Sequence, residues 1–236
     1  MRRTLSFGGG LQTTAIVTLM AKGEVVVDEV VFADTGVEKP ETYWYIEEYI
    51  KPLLQVLQVP FITVKSYLGT LYEHCWEKKI IPSIHNRWCT DKFKVRPIEK
   101  YLKREGIVLI GFSADEVKRS EKPSRMTREF PLIERGLSSA DCARIISDSG
   151  WPVPLRSSCY ICVFNPYPEW NWLKNNHPDL IDKALALEQR QYERYPQLRY
   201  TYGLLRGIPL WKIKNGLQPE MIIPGEYSCW SGYCSH

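Results

Sequence analysis

The chain has 236 residues, 44% of them hydrophobic and 25% charged, enough to bury the core of one α/β domain with a small appendage. A net charge of +4 does not imply nucleic acid by itself and suits anionic substrates. No run approaches the ~20 apolar residues that span a bilayer. The two N-terminal arginines lead straight into a strand rather than a secretory leader, so a cytoplasmic chain without membrane contact is expected.

The first element is a strand over Thr4–Phe7. It runs into Ser6-Phe7-Gly8-Gly9-Gly10-Leu11-Gln12-Thr13-Thr14 and a helix over Gln12–Ala21. Strand, glycine turn and helix together make an anion cradle: glycine lets backbone approach an oxyanion, and the N–H groups of a helix start point at it. Ser6, Thr13 and Thr14 add hydroxyls. The competing reading is a tight turn with no ligand. A second strand, Glu29–Ala33, ends in Asp34-Thr35-Gly36. Two such loops at successive strand ends describe a nucleotide site. Asp34 suits a ribose hydroxyl, or Mg²⁺ where the substrate is ATP; it could instead cap a helix.

Helices are then expected over Pro40–Gln58, Leu68–Lys78 and Lys92–Lys103, with strands over Phe61–Val64 and Ile107–Phe112. The last strand leads into Gly111-Phe112-Ser113-Ala114-Asp115-Glu116. This alternation predicts parallel strands with right-handed crossovers, in a doubly wound, Rossmann-like α/β fold. Gly111 and Asp115 then join the first two motifs outside the carboxyl ends of the strands, where such sheets bind ligands.

Past residue 120 the texture changes. Pro123, Pro131, Pro152, Pro154, Pro166 and Pro168 recur and strand signals fade, although helices over Ser139–Ser147, Tyr167–Asn175 and Pro178–Tyr195 are expected. The chain divides on this reading into a nucleotide-binding domain, 1–120, and a helical, cysteine-bearing cap, 121–236. Seven cysteines in a cytosolic chain argue for metal or redox chemistry over disulfides. Cys159-Tyr160-Ile161-Cys162 has the spacing that grips one metal or cluster, and equally that of a redox dithiol. Cys75 reads as a small buried hydrophobe.

Four segments in order resemble the phosphoadenosine phosphosulfate reductase family of the adenine nucleotide α-hydrolase-like (ATP pyrophosphatase) group. They are Ser6–Thr14; Asp34-Thr35-Gly36 with Pro40-Glu41-Thr42-Tyr43; Arg87-Trp88-Cys89-Thr90 through Pro97; and Ile110-Gly111-Phe112 with Asp115, Glu116 and Arg119. The later half, with Phe130–Glu134, Ser139-Ala140-Asp141-Cys142 and the Cys159–Cys162 segment, resembles a phage and actinobacterial branch related to the sulfur-inserting proteins of DNA phosphorothioation. The resemblance implies an adenine nucleotide, ATP or a sulfonucleotide, at the glycine turn.

It also implies catalytic cations at Lys94 and Arg119. Lys94 and Arg96 lie about 200° apart on a helix, so both cannot face one site. Cys89 and Cys142 occupy family-like positions and complete a four-thiolate set with Cys159 and Cys162. A [4Fe–4S] cluster is expected there, with zinc the alternative. Trp88 stands where cluster-bearing relatives have a second cysteine. In the reductases a C-terminal cysteine attacks the substrate sulfur, and Cys234, near His236, resembles it.

Three functions follow. The first is ATP-dependent thiolation of an acceptor, with DNA or RNA in view and a sulfur-donor protein as partner. The second is sulfonucleotide reduction through Cys234 with a thiol reductant. The third is a non-enzymatic nucleotide or nucleic-acid binding module with a structural metal.

Overall fold

In a computed structural model, which describes residues 1–103 and 105–214, the strands are β1 (Arg3–Phe7), β2 (Glu29–Asp34), β3 (Phe61–Lys65), β4 (Ile107–Ile110) and β5 (Thr127–Glu129). They form one parallel sheet in the order β3-β2-β1-β4-β5. The central strands are apolar on both faces, as a covered parallel sheet requires. Side chains alternate across β2: Val30 and Phe32 enter one core with Leu5, Phe7 and Leu109, whereas Val31 and Ala33 enter the other with Val108.

The helices are α1 (Leu11–Ala21), α2 (Pro40–Tyr45), α3 (Lys51–Val56), α4 (Leu71–Lys78), α5 (Trp88–Thr90), α6 (Arg96–Leu102), α7 (Val117–Ser120), α8 (Pro131–Glu134), α9 (Ser139–Ser147), α10 (Tyr167–Asn176), α11 (Pro178–Arg194) and α12 (Trp211–Lys214). The first core takes Ala15 and Ile16 of α1, Leu54 of α3 and Ile146 of α9, and the second takes Ile98 and Leu102 of α6. The sheet is therefore covered on both faces, the doubly wound α/β arrangement that the alternation predicts.

Two π turns, Ile46–Ile50 and Asp91–Val95, precede α3 and α6. Each runs directly into a Lys-Pro or Arg-Pro pair, Pro52 and Pro97. Proline has no N–H to donate and its ring crowds the carbonyl four residues back, so a wider turn relieves both problems. The expected helices over Pro40–Gln58 and Lys92–Lys103 thus form with a change of pitch.

The chain groups into two bodies. The sheet body holds residues 1–34, 38–66 and 93–157. The second holds 35–37, 67–92 and the chain from 158 onward. The break expected at residue 120 falls inside the sheet body, because β5, α8 and α9 belong to it. Within the second body α11 packs on α4 and α10, with Trp170, Leu173, Ala184 and Leu187 buried. Its buried Glu188 accepts hydrogen bonds from the backbone N–H of Leu204 and of Leu210, both at 2.8 Å. Among the described residues, no helix is long and apolar enough to cross a membrane.

Candidate functional site

The strand order reverses at β1, whose neighbours are β2 on one side and β4 on the other. Crossovers leave in opposite directions from such a point, and a crevice opens outside the carboxyl ends. Ser6 is the penultimate residue of β1, paired in register with Val31 and Ile110. Gly8, Gly9 and Gly10 follow at that edge.

Gly9 has φ +71°, and a Cβ there would stand 2.5 Å from Thr42 Cγ2. Gly10 caps α1 without a side-chain hydrogen bond, and a Cβ on it would meet Ser157 Oγ at 2.5 Å. Thr13 Oγ1 closes the turn, accepting from Gly8 N at 3.3 Å and donating to Gly10 O at 3.2 Å. Thr14 Oγ1 is buried without a hydrogen-bond partner among the described residues. A Cβ on Gly111 would lie 2.7 Å from Thr13 Cγ2, so the loop after β4 packs directly on the glycine turn.

Further side chains tie these loops together. Gln12 Nε2 donates to Ser139 Oγ at 3.5 Å, and Ser139 N donates to Asp115 Oδ2 at 2.6 Å. Ser113 and Ser139 hydroxyls stand 3.2 Å apart. Asp115 thus anchors the start of α9 beside the glycine turn.

At the end of β2, Tyr43 donates its hydroxyl to Asp34 Oδ1 at 2.7 Å, and Lys65 Nζ lies 3.4 Å from Asp34 Oδ2. Burial, then the Asp34 carboxylate, pushes the Tyr43 phenol far above its ordinary value. Thr35 is buried, and its Oγ1 lies 3.7 Å from Cys159 Sγ. Gly36 packs against Thr70.

The two expected catalytic cations are both held by carboxylates. Lys94 Nζ lies 2.9 Å from Glu38 Oε1, and Arg119 pairs with Glu116 while its guanidinium covers the Phe112 ring at 4.0 Å. Arg96 is exposed whereas Lys94 is half-buried, in keeping with their divergence around the helix.

The cysteines are distributed differently from expectation. Cys142 is wholly buried in the apolar core of the sheet body, with Leu5, Ile16 and Ile146. Burial first, then Asp141, Asp115 and Glu116, push its thiol up to about 12. Cys89, Cys159 and Cys162, all half-buried, belong to the second body, as does the wholly buried Cys75. Among the described residues no three His, Cys, Asp or Glu side chains stand in metal-holding geometry. The expected quartet of Cys89, Cys142, Cys159 and Cys162 is therefore not assembled. Cys234, Cys229 and His236 lie outside the described residues.

No site role is read from the sequence for Ser157, Ser139, Glu38 or the buried Lys39. Ser139 stands in a segment that carries the resemblance, and Glu38 and Lys39 fall between the Asp34 motif and Pro40.

The phosphoadenosine phosphosulfate reductase domain matches residues 2–144. The chain belongs to that family. The match spans the sheet with the glycine turn, Asp34, Lys94 and Arg119, and makes this a domain of an enzyme family that works on sulfur with an adenine nucleotide. Curated relatives are two uncharacterized proteins of Methanocaldococcus jannaschii. They are 26% and 24% identical over 92% and 89% of this chain, and 52% and 46% of their own lengths. An uncharacterized nin region protein of Escherichia phage lambda is 29% identical over half of each chain. The chain thus spans about half the length of these relatives.

Among solved structures it is similar to a phosphoadenylyl-sulfate reductase from Candida auris, with 18% identity, TM-score 0.48, and 65% and 75% of the two chains covered. It is also similar to the U34-tRNA thiolase NcsA from Methanococcus maripaludis with its [4Fe-4S] cluster, with 16% identity, TM-score 0.44, and 97% and 77% covered.

Proposed function

We propose that the sheet body binds the phosphates of an adenine nucleotide at Gly8, Gly9 and Gly10, and that the chain uses ATP to activate an acceptor for thiolation. The observation that carries this reading is the packing of Gly111 on Thr13 and of Ser157 on Gly10 at the strand-order reversal. It builds a turn with no room for side chains on two flanks, whereas a Cβ on Gly8 would meet nothing within 4 Å. That open flank suits a phosphate chain. The first turn of α1 carries no acidic residue to compete with it.

In the reaction, an acceptor oxygen attacks the α-phosphorus of ATP, the α–β bridging bond breaks, and pyrophosphate leaves. Sulfur from a donor then displaces AMP from the activated acceptor. Arg119, held by Glu116 and Phe112, and Lys94, held by Glu38, are fixed cations suited to the charge that develops on the phosphates. Asp34, oriented by Tyr43, is the hard oxygen donor for Mg²⁺ accompanying ATP. A nucleic-acid acceptor is part of the proposal. The expected cluster quartet does not fit, because Cys142 lies in the sheet core, and no step is routed through a cluster.

The family match favours a second reading, sulfonucleotide reduction, in which Cys234 Sγ attacks the substrate sulfur and the nucleotide leaves. Pyrophosphate release from ATP, assayed anaerobically beside sulfite release from sulfonucleotides with a thiol reductant, separates the two. Pyrophosphate release supports thiolation, and sulfite release alone transfers the assignment to reduction. Calorimetric nucleotide binding without either product leaves a binding module, and absence of binding overturns the site itself.

A further inference from the structure

The helix α6 carries a stripe of cations that the nucleotide site does not use. Arg96, Lys100 and Lys103 are all exposed. Steps of four and then three residues place them within about 60° of one another around the helix. Ile98 and Leu102 fall on the opposite side and fill the core shared with Val31, Ala33 and Val108. A charged outer face is ordinary for a covering helix. Two further features set this one apart.

The stripe borders a hollow of about 510 Å³, within the size range of ligand clefts. Every residue lining it is charged: Arg96, Glu99, Lys100, Lys103 and Arg125. The fourth cation comes from a separate segment just before β5, where the adjoining Met126 packs on the same core. Glu99, the one carboxylate of the lining, is buried and pairs with Arg125 at 3.5 Å. It holds that guanidinium at the rim and leaves the lining with a clear positive excess. The whole chain has a net charge of only +4, so most of its excess gathers at this one hollow.

Such a lining suits a polyanion and not an apolar ligand. From Arg96 to Lys103 the helix rises about 10 Å. A stacked nucleic-acid strand places a phosphate about every 3.4 Å, so the stripe matches about three consecutive phosphates. Its course also fits an extended anion. Arg96 follows Lys94 by two residues, and Lys103 stands shortly before β4 begins. The stripe thus leads from the sheet edge that carries the glycine turn toward the opposite edge.

We propose that the outer face of α6, together with Arg125, binds the phosphodiester backbone of a single nucleic-acid strand. This rests on the nucleic-acid acceptor of the proposed function and gives that acceptor its seat. The contacts are to phosphate, so they position the strand without reading its bases.

The test measures binding of a fluorescently labelled RNA oligonucleotide, and of the DNA of the same sequence, to the full chain. Anisotropy is followed across a salt series with no ATP present. Both strands are expected to bind. Lys100→Gln combined with Lys103→Gln removes two cations of the stripe, keeps the Glu99–Arg125 pair and touches no residue of the nucleotide site. Its affinity is expected to fall at least about tenfold at low salt, and the slope of log affinity against log salt to flatten by about 1.4, the counterions of two phosphates on a single strand. Lys174→Gln combined with Lys183→Gln removes the same charge from exposed positions of the second body and is expected to change neither quantity. Equal loss in the two double variants would reduce the effect to net charge and overturn the proposal. Unchanged binding in the α6 variant, or a wild-type chain that binds neither strand, overturns it as well. Polyglutamate that competes as strongly as the oligonucleotide at equal charge would assign the face to an acidic protein and likewise overturn it. Calorimetry of ATP on the α6 variant is expected to match wild type, with an unchanged thermal melt, so this face and the glycine turn can fail independently.

Discussion

Lys94 Nζ stands 2.9 Å from Glu38 Oε1, and the Glu38 side chain has no exposed surface. A carboxylate so placed depends on its cation, because removing one partner of a buried pair costs more than the pair contributes. Lys94 is one-third exposed, which moderates the loss. Lys94→Ala is expected to destabilise the chain by about 1–3 kcal/mol. Urea unfolding should show a lower midpoint with the slope unchanged. Adding Glu38→Gln should recover most of the loss. If the midpoint of Lys94→Ala matches wild type, the pair carries no stability, and a loss of activity at Lys94 would then reflect chemistry alone.

Gly9 has a left-handed φ and a Thr42 methyl where a Cβ would go. Gly9→Ala should cost about 1–2 kcal/mol from the backbone term and push Thr42 or the turn aside. Nucleotide affinity, measured by calorimetry, is expected to fall at least about tenfold, equivalent to about 1.4 kcal/mol. Gly8→Ala, at an open position, serves as the companion: its stability should stay near wild type, while a phosphate seated on that flank makes its affinity fall as well. Unchanged affinity in both variants would remove the glycine turn from the site.

Much of this arrangement is legible in the chain itself. The apolar runs of β1, β2, β3 and β4 are bounded by glycine, proline or charge, and Pro40 marks a helix start in plain view. β5 is not legible, because Thr127-Arg128-Glu129 has no apolar residue and becomes a strand only by pairing with β4. The π turns are hidden because proline inside a helical pattern signals a break, not a widened turn. The cysteine roles are hidden for a different reason. Spacing identifies the Cys159–Cys162 pair, but which distant cysteine shares its body depends on how the chain crosses between bodies, after residues 34, 37, 66, 92 and 157. The helix periodicity of Ser139–Ser147 does point Cys142 and Ile146, four apart, to one face, and that face is the one packed in the core.

Tyr43, Tyr45, Tyr160 and Tyr192 all have phenols raised above the ordinary value, chiefly by burial. Each is protonated in the fold at pH values where the unfolded chain would ionise it. The stability they contribute is fully present below the unfolded value of about 10 and is lost as pH rises above it. Ultraviolet titration should therefore show one class of tyrosines ionising reversibly near the ordinary value and a second ionising only with the loss of circular dichroism. A single reversible class covering all 14 tyrosines would contradict the burial of these four.

Glu188 is buried on α11 and receives the backbone N–H groups of Leu204 and Leu210. Gly203 leaves it room, since a Cβ there would stand 2.2 Å from Glu188 Oε2. Removing the acceptor strands two buried donors, each worth about 1–3 kcal/mol when left unmade. Glu188→Ala is thus expected to destabilise by about 2–5 kcal/mol, with faster amide exchange at Leu204 and Leu210 than at α4. Burial raises the carboxyl above its ordinary value, so the folded chain holds this proton more tightly than the unfolded one. Its contribution is fully present below the unfolded value of about 4.3 and declines as pH rises through the raised value. Glu188→Gln keeps the shape and an oxygen acceptor but cannot titrate. It should therefore stay within about 1 kcal/mol of wild type at neutral pH and lose the decline that sets in above the unfolded value. A Gln variant as unstable as Ala would show that the charge itself, not the acceptor, holds the 204–210 segment.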